Sequence, residues 1–178
     1  QTRDSGFVLH GIGGGAKNNY LIKTDRNGKP QWSKQYEGGW SYCVVQTTDD
    51  GYILAGGSSP IAVTKTDASG NIQWQKSIAA SSYAAAYSVC QDGDGGYVIT
   101  GNTNVSGNAS DVYLLKLSSS GNVLWTKTYG TTATDIAFCV KQTFDNGHII
   151  TGRSSYSGSD DIFTIKTDSV GNLFWSRI

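Results

Sequence analysis

Two carboxylates flank a glycine in the stretch QDGDGGY, at Asp92 and Asp94. This D-x-D-x-G spacing is typical of the start of a calcium-binding loop, in which alternate side chains turn toward the ion. A complete loop also ends in a bidentate acid, and residues 95–104 contain no acid. The sequence therefore favours a hairpin turn here. It leaves Asp92 and Asp94 as weak metal-ligand candidates, and no cofactor is expected.

The residue types that perform acid–base or nucleophilic catalysis are scarce and scattered. His10 and His148 are the only histidines, and neither has a serine or cysteine arranged with an aspartate nearby in sequence. Glu37 is the only glutamate, so a hydrolase that works with two carboxylates would have to use aspartates. We therefore assign no catalytic residue, and a non-enzymatic role is the primary hypothesis.

Aromatic side chains offer a different kind of site. Trp40 is the one tryptophan outside the repeated pattern described below, and it stands close to Tyr42. Tyr83 occupies a related crossing between two repeats. Such rings present a flat apolar face together with a polar edge, which suits ligand binding. We predict a ligand-binding rim that includes these three residues, and packing between repeats is the alternative.

Two N-glycosylation sequons begin at Asn104 and Asn108. They are weak candidates because serine and threonine are abundant throughout the chain, so the tripeptide also arises by chance.

The chain has three cysteines, Cys43, Cys90 and Cys139, and no two of them have the C-x-x-C spacing of a zinc or redox motif. They are expected to be small buried strand residues, with a single disulfide as the alternative.

Composition excludes some partners. The chain has 178 residues, and 14 basic side chains balance 14 acidic ones. A neutral chain lacks the basic surface that attracts nucleic acid or an anionic membrane. No run of about 18 apolar residues is present, so no membrane span is predicted. A protein or glycan partner remains.

These residues must be positioned by a repeated element. The phrase KTDASGNIQWQK at residues 65–76 recurs as KTDRNGKPQWSK, KLSSSGNVLWTK and KTDSVGNLFWSR. The phrase predicts a hairpin, because Gly70 can adopt a positive φ angle and Asp67 can accept hydrogen bonds within the turn. The tryptophan four residues after the glycine then lies on one fixed face of the second strand.

Each repeat unit contains four short β-like runs, two of which include parts of the phrase, and no segment shows a helical period. Units of about 45–50 residues with four strands and one tryptophan are typical of β-propeller blades. The predicted fold is therefore all-β, a β-propeller of four consecutive four-stranded blades in one domain. The approximate unit boundaries are 1–39, 40–80, 81–131 and 132–178.

The blade pattern, with DVYLLKLSSSGNVLWTKTYG as its clearest example, resembles the repeat of secreted bacterial and archaeal β-propeller proteins. It is similar, more loosely, to the repeats of quinoprotein-type propellers. The resemblance implies an extracellular or cell-surface module that presents loops to a protein or glycan partner. Two alternatives are a scaffold within a hydrolase or lyase whose site lies at the propeller axis, and a subunit of an extracellular assembly or filament.

The first blade is expected to lack its inner strand. The inner strands of the later units end in a glutamine, and Gln1 matches only that end. The chain begins at Gln1 rather than methionine, which suggests a processed or excised piece. Three arrangements stay open: flanking blades in a longer chain, two copies in one eight-bladed ring, or four blades that close alone. The first two are favoured.

Overall fold

A computed structural model of the protein describes residues 1–13, 18–37, 41–79, 83–104, 109–156 and 158–178. These residues form strands, turns and bends, and no helix occurs among them. Within the described ranges, accordingly, no helix has the length and apolarity needed to cross a membrane. The all-β prediction is confirmed.

Four antiparallel sheets follow one another along the chain, and each is built from consecutive strands. The first sheet has three strands: β1 Phe7–Ile12, β2 Asn18–Thr24 and β3 Pro30–Glu37. The second sheet comprises β4 Ser41–Gln46, β5 Tyr52–Gly56, β6 Ile61–Thr66 and β7 Ile72–Ile78. The third comprises β8 Ala84–Gln91, β9 Tyr97–Thr103, β10 Asp111–Leu117 and β11 Val123–Tyr129. The fourth comprises β12 Asp135–Gln142, β13 His148–Ser154, β14 Asp161–Thr167 and β15 Leu173–Arg177.

The first strand of each four-stranded sheet, namely β4, β8 or β12, is called its inner strand below. The first sheet has no described inner strand, as the sequence predicted. The sheets pack face to face in chain order. Strand β4 lies against β1, β8 lies against β4 and β5, and β12 lies against β8 and β9.

The core lies between the sheets. Ile53 and Val63 of the second sheet are fully buried against Ala86, Ile99 and Leu115 of the third. Each such aliphatic side chain contributes about 1.5–3 kcal/mol when it leaves water. The apolar residues that alternate along the strands therefore hold neighbouring sheets together, and each sheet depends on the next.

The predicted hairpin turns form through their aspartates. The Asp67 carboxylate accepts hydrogen bonds from the backbone N–H groups of Ser69 and Asn71, at 2.9 and 2.8 Å. Gly70 adopts a φ of +76°, which a residue with a side chain rarely tolerates. Asp25 and Asp168 make the corresponding bonds in the first and fourth sheets.

Cysteine burial differs from the expectation of three buried residues. Cys90 is buried, Cys43 is partly buried and Cys139 is exposed, and all three are free thiols. Cys139 lies on the fourth sheet, which has no described fifth sheet beyond it. Cys139 therefore lies on a strand as predicted, but no described sheet packs on it, so it is exposed.

Candidate binding site: an aromatic row on the inner strands

Each inner strand contains one residue more than the strand it pairs with. The pairing register skips Tyr42 in β4, Tyr87 in β8 and Phe138 in β12. A bulge of this kind bends the strand and re-aims the extra side chain, and such bulges are frequent beside functional sites. All three extra residues are aromatic, so the three sheets present rings in the same way.

The three rings form a continuous row, called the aromatic row below. The ring centroids of Tyr42 and Tyr87 are 5.6 Å apart, and those of Tyr87 and Phe138 are 5.7 Å apart. The interplanar angles of 46° and 54° are those of tilted pairs rather than flat stacks. Tyr42 is 39% exposed and Phe138 is 49% exposed. The row thus holds itself together and still offers ring surface to solvent.

Polar groups flank the aromatic row. Burial raises the pKa of Tyr87, and the neighbouring hydroxyls of Tyr83 and Tyr42 raise it further, while Arg153 acts in the opposite direction. Arg153 also forms an ion pair with Asp160. The row therefore combines apolar ring faces with phenolic hydroxyls and a nearby guanidinium, which are hydrogen-bonding groups suited to a hydroxylated ligand.

An imidazole stands close to the Tyr42 end of the row. The Ser41 hydroxyl lies 3.4 Å from His10 Nδ1. Burial lowers the pKa of His10, and hydrogen bonds with the backbone of Tyr42 and Ser41 only partly oppose this. The ring is therefore neutral at pH 7 and can both donate and accept a hydrogen bond.

Two of the three residues predicted for the ligand-binding rim lie in or beside the aromatic row. Tyr42 belongs to the aromatic row, and Tyr83 adjoins it with 40% of its surface exposed. Trp40 lies outside the described residues. Tyr87 and Phe138 were missed. The signal for them is a shared spacing, because each aromatic residue precedes by four positions the glutamine that ends its inner strand: Gln46, Gln91 and Gln142.

The weak metal candidates bind a lysine instead. Lys116 Nζ donates to Asp92 at 2.7 Å and to Asp94 at 2.8 Å. Asp92 is buried, and its carboxylate also lies 3.0 Å from Nε2 of the buried His148. No group of three metal-binding side chains occurs among the described residues. In this structure a protein ammonium group takes the place between the two carboxylates that a bound cation would need.

One sequon asparagine is described. The Asn104 side-chain oxygen accepts a hydrogen bond from Ser110 Oγ at 2.7 Å, and its backbone N–H donates to Tyr83 O at 3.0 Å. Asn108 lies outside the described residues. Asn104 is therefore bonded to Ser110 and to Tyr83, which adjoins the aromatic row, and its glycosylation stays a prediction.

A cavity of about 280 Å³ opens between the third and fourth sheets, lined by Tyr129, Asp135 and Phe163 among others. Asp135 accepts hydrogen bonds from the backbone and hydroxyl of Thr131, at 2.7 and 3.0 Å. Burial raises the pKa of Asp111, and the charge of Asp135 raises it further. Two carboxyl groups thus share this region, and one of them holds its proton more tightly than usual.

Comparison with known proteins adds little. No protein-family model matches the chain, and no curated protein matches it either. One solved structure with a similar backbone is a protein of unknown function from Bacteroides caccae, determined at 1.35 Å resolution. It is 12% identical, the alignment covers 90% of this chain and 77% of that one, and the TM-score is 0.39. A similarity at that level carries no argument about function.

Proposed function

We propose that the four sheets are consecutive blades of a β-propeller, and that the chain is a non-enzymatic, extracellular binding module for a glycan chain. The aromatic row is the observation that carries the proposal. Three bulges in three successive sheets turn one aromatic ring each toward the same open surface. Packing alone does not require the bulged residue to be aromatic in every sheet, nor the two outer rings, Tyr42 and Phe138, to be exposed.

The chemistry of the row favours a neutral, hydroxylated ligand. Sugar rings have an apolar face, which packs on an aromatic ring, and an edge of hydroxyls, which need hydrogen-bond partners. Tyr42, Tyr83 and Tyr87 supply rings and hydroxyls together. The chain has a formal net charge of zero, so it has no overall bias toward an anionic ligand.

The test is calorimetric titration with three neutral probes: cellohexaose, maltohexaose and chitohexaose. We expect binding of at least one probe, and we expect Tyr87→Ala to weaken that binding about 10-fold or more through loss of the central ring. Tyr87→Phe keeps the ring and should retain most of the affinity. The matched control is Phe144→Ala, which removes a fully exposed ring from a turn away from the row.

The glycan proposal fails if none of the probes binds, or if Tyr87→Ala binds as well as the unaltered protein. In the first case a protein partner becomes the better hypothesis for the same surface. Circular dichroism of each variant checks that the sheets remain folded.

The hydrolase or lyase alternative has one observation in its favour, the raised pKa of Asp111 beside Asp135. A carboxyl group with a raised pKa keeps its proton to higher pH, which is the direction of change that a general acid requires. The same three probes test this alternative if their length is followed by chromatography. Cleavage that is lost in Asp111→Asn would support an enzyme, and intact probes with measurable binding support the binding module.

A further inference from the structure

Every contact between neighbouring sheets repeats one aromatic pair. Trp32 packs edge-on against Tyr52 and Trp74 against Tyr97, both with 5.8 Å between ring centroids. Trp125 packs in the same way against His148 at 6.3 Å. In each case the tryptophan belongs to the last strand of one sheet, and its partner begins the second strand of the next four-stranded sheet. The contact therefore joins two different surfaces. The surface of the last strand, which carries the tryptophan, is called the tryptophan half below. The surface of the next sheet, which carries Tyr52, Tyr97 or His148, is called the aromatic half.

The tryptophan half also covers a turn of the next sheet. A Cβ atom built on Gly70 would lie 2.9 Å from the ring of Trp32, and one on Gly171 would lie 2.9 Å from Trp125. The turn glycine thus fits directly on the indole, and a larger residue would not. The glycine turn is the second part of the aromatic half.

A hydrogen bond from a backbone N–H group to a glutamine side chain completes the contact. Gln46 Oε1 accepts from the backbone N–H of Arg3 at 2.9 Å, and Gln91 Oε1 accepts from that of Thr48 at 2.7 Å. Gln142 Oε1 accepts from Gly93 N at 2.9 Å. Each glutamine ends an inner strand, and each donor lies two residues beyond the equivalent glutamine of the preceding sheet.

The fourth sheet carries a tryptophan half on which no aromatic ring of the described residues packs; the Arg177 guanidinium lies 5.9 Å from the centroid of the Trp175 ring. Trp175 corresponds to Trp32 in the repeat, and it is 41% exposed. Phe144 corresponds to Arg3, and its side chain is fully exposed. Among the described residues nothing packs on Trp175 in the way that Tyr52 packs on Trp32.

The first sheet carries the matching aromatic half. Phe7 corresponds to Tyr52 and is 40% exposed, and its neighbour on the same face, Leu9, is 50% exposed. Gly28 corresponds to Gly70 and has a φ of +81°, but a Cβ atom there would meet nothing within 4 Å. The Gln1 carboxamide bonds to Ser5 O, as that of Gln46 bonds to Asp50 O, so its orientation matches.

We propose that the fourth sheet of one copy docks on the first sheet of a second copy and repeats the internal contact. Trp175 of one copy lies on Gly28 and against Phe7 of the other, and Gln1 Oε1 accepts from Phe144 N. The contact joins unlike surfaces, and two such contacts close a ring of two copies when the rotation between the copies is a half turn.

Lys141 favours docking of the fourth sheet on a three-stranded first sheet over docking on a four-stranded sheet. Val45 and Cys90 belong to the apolar clusters that include the inner strand of the following sheet. In the fourth sheet that position holds the exposed Lys141. Because the first sheet has no described inner strand, the Lys141 ammonium stays in water when the two sheets meet. A lysine in that place would be costly under a buried inner strand.

The experiment is a measurement of molar mass against concentration, by sedimentation equilibrium of the whole chain. We expect a rise from the 19.0 kDa monomer toward twice that mass. Trp175→Ala and Phe7→Ala should each weaken association about 30-fold, as truncation of a central aromatic anchor does. The control, Leu124→Ala, removes an exposed apolar side chain from the third sheet and should leave the mass curve unchanged.

Mixing the two variants gives the decisive result. Trp175→Ala retains the first-sheet surface and Phe7→Ala retains the fourth-sheet surface, so an equal mixture should recover association through one intact contact. A mixture no stronger than either variant alone overturns the head-to-tail contact. A monomer up to about 1 mM also overturns it, since weaker binding is not specific recognition. Species larger than two copies support the contact and reject ring closure.

Discussion

At the scale of single residues, a lysine anchors the first turn of each sheet, and it is buried in the first three sheets and partly buried in the fourth. Lys65 Nζ donates to Asp49 at 2.8 Å, to the carbonyl of Thr66 at 2.8 Å and to Gln73 Oε1 at 2.9 Å. The lysine itself is only 2% exposed, while the Asp49 side chain is about half exposed. Equivalent lysine–aspartate pairs occur in the other three sheets. The ammonium thus satisfies groups from three parts of the sheet.

Replacing this ammonium with an apolar group of similar length should destabilise the protein. In Lys65→Met the Thr66 carbonyl loses its charged donor in a buried place, and we expect a loss of about 2–3 kcal/mol in the free energy of unfolding. Urea denaturation measures it. The exposed Lys29→Met is the control and should change stability by less than about 0.5 kcal/mol. Equal losses in the two variants would contradict this role for Lys65.

The same ion pairs predict the response to acid. Lys23 holds the pKa of Asp4 well below its ordinary value of 3.8, and Thr143 and Lys166 do the same for Asp145. Burial raises the pKa of Asp49, but its bonds to Lys65 and Thr47 outweigh this, and the pKa is lowered. Since these pKa values are lower in the folded state, their stabilisation is full above pH 3.8 and is lost as the pH falls toward the folded values.

The urea midpoint should therefore stay nearly constant from pH 7 to about 5 and fall steeply below about 4. Asp49→Asn should show a lower midpoint at pH 7 and a shallower fall in acid. A midpoint that is unchanged between pH 5 and pH 2 would contradict the prediction.

Residue types alone did not reveal these partnerships. The D-x-D spacing at Asp92 and Asp94 was recognised, but the cation that occupies it is Lys116, more than 20 positions away in sequence. Only the pairing of strands across the sheet brings the lysine to the turn. His148 packs on Trp125, and its bond to Asp92 likewise depends on contact between two sheets.

At the scale of elements, local chemistry determines the hairpin turns. The turn at Asp67 and Gly70 could be predicted because the hydrogen bonds to the Asp67 carboxylate and the positive φ of Gly70 all lie within five residues. The bulges at Tyr42 and Tyr87 could not, because a bulge is defined by the register of two strands and no residue type requires it. The aromatic row was therefore only partly visible in the sequence.

Alanine substitutions at two equivalent glycines, Gly70 and Gly28, distinguish the cost of backbone strain in the turn from the cost of a clash with the neighbouring sheet. Gly70 and Gly28 have φ angles of +76° and +81°, so alanine at either position costs about 1–2 kcal/mol in backbone strain. Only at Gly70 would the new Cβ meet a ring, that of Trp32 at 2.9 Å. We expect Gly70→Ala to lose about 1–3 kcal/mol more than Gly28→Ala in urea denaturation.

Both variants are compared at a protein concentration low enough to keep the chain monomeric, so that any docking on Gly28 does not contribute. An equal loss of stability in the two would show that Trp32 moves aside without cost, contrary to the prediction.

At the scale of the whole molecule, the sheets form a linear series in which each packs on its sequence neighbours. The four sheets and the first sheet's lack of a described inner strand were predictable, because the repeated phrase marks each sheet and only the final glutamine of the inner-strand pattern, Gln1, precedes the first sheet. Closure was not, because four copies of a local pattern do not determine what meets the first and last faces. Those faces are described by exposed residues such as Phe7 and Trp175.

A linear series predicts graded stability along the chain. Inner sheets are held by two contacts and end sheets by one, so local opening should begin at the ends. Strands β9 and β10 are almost entirely buried, whereas every residue of β15 is exposed. We therefore expect amide hydrogen exchange to be slowest in β9 and β10 and fastest in β15 and β1. Uniform exchange across the four sheets would contradict a stepwise series.

The gradient of hydrogen exchange should change with protein concentration if copies of the chain dock on one another. If the fourth sheet of one copy covers the first sheet of another, protection of β15 and β1 should rise together as the concentration increases, while β9 and β10 stay unchanged. Trp175→Ala should remove that dependence and retain the gradient itself, because the gradient arises within one copy. A rise confined to β1 would instead mean that its unpaired edge recruits a strand, which is the other way in which an open sheet gains a partner.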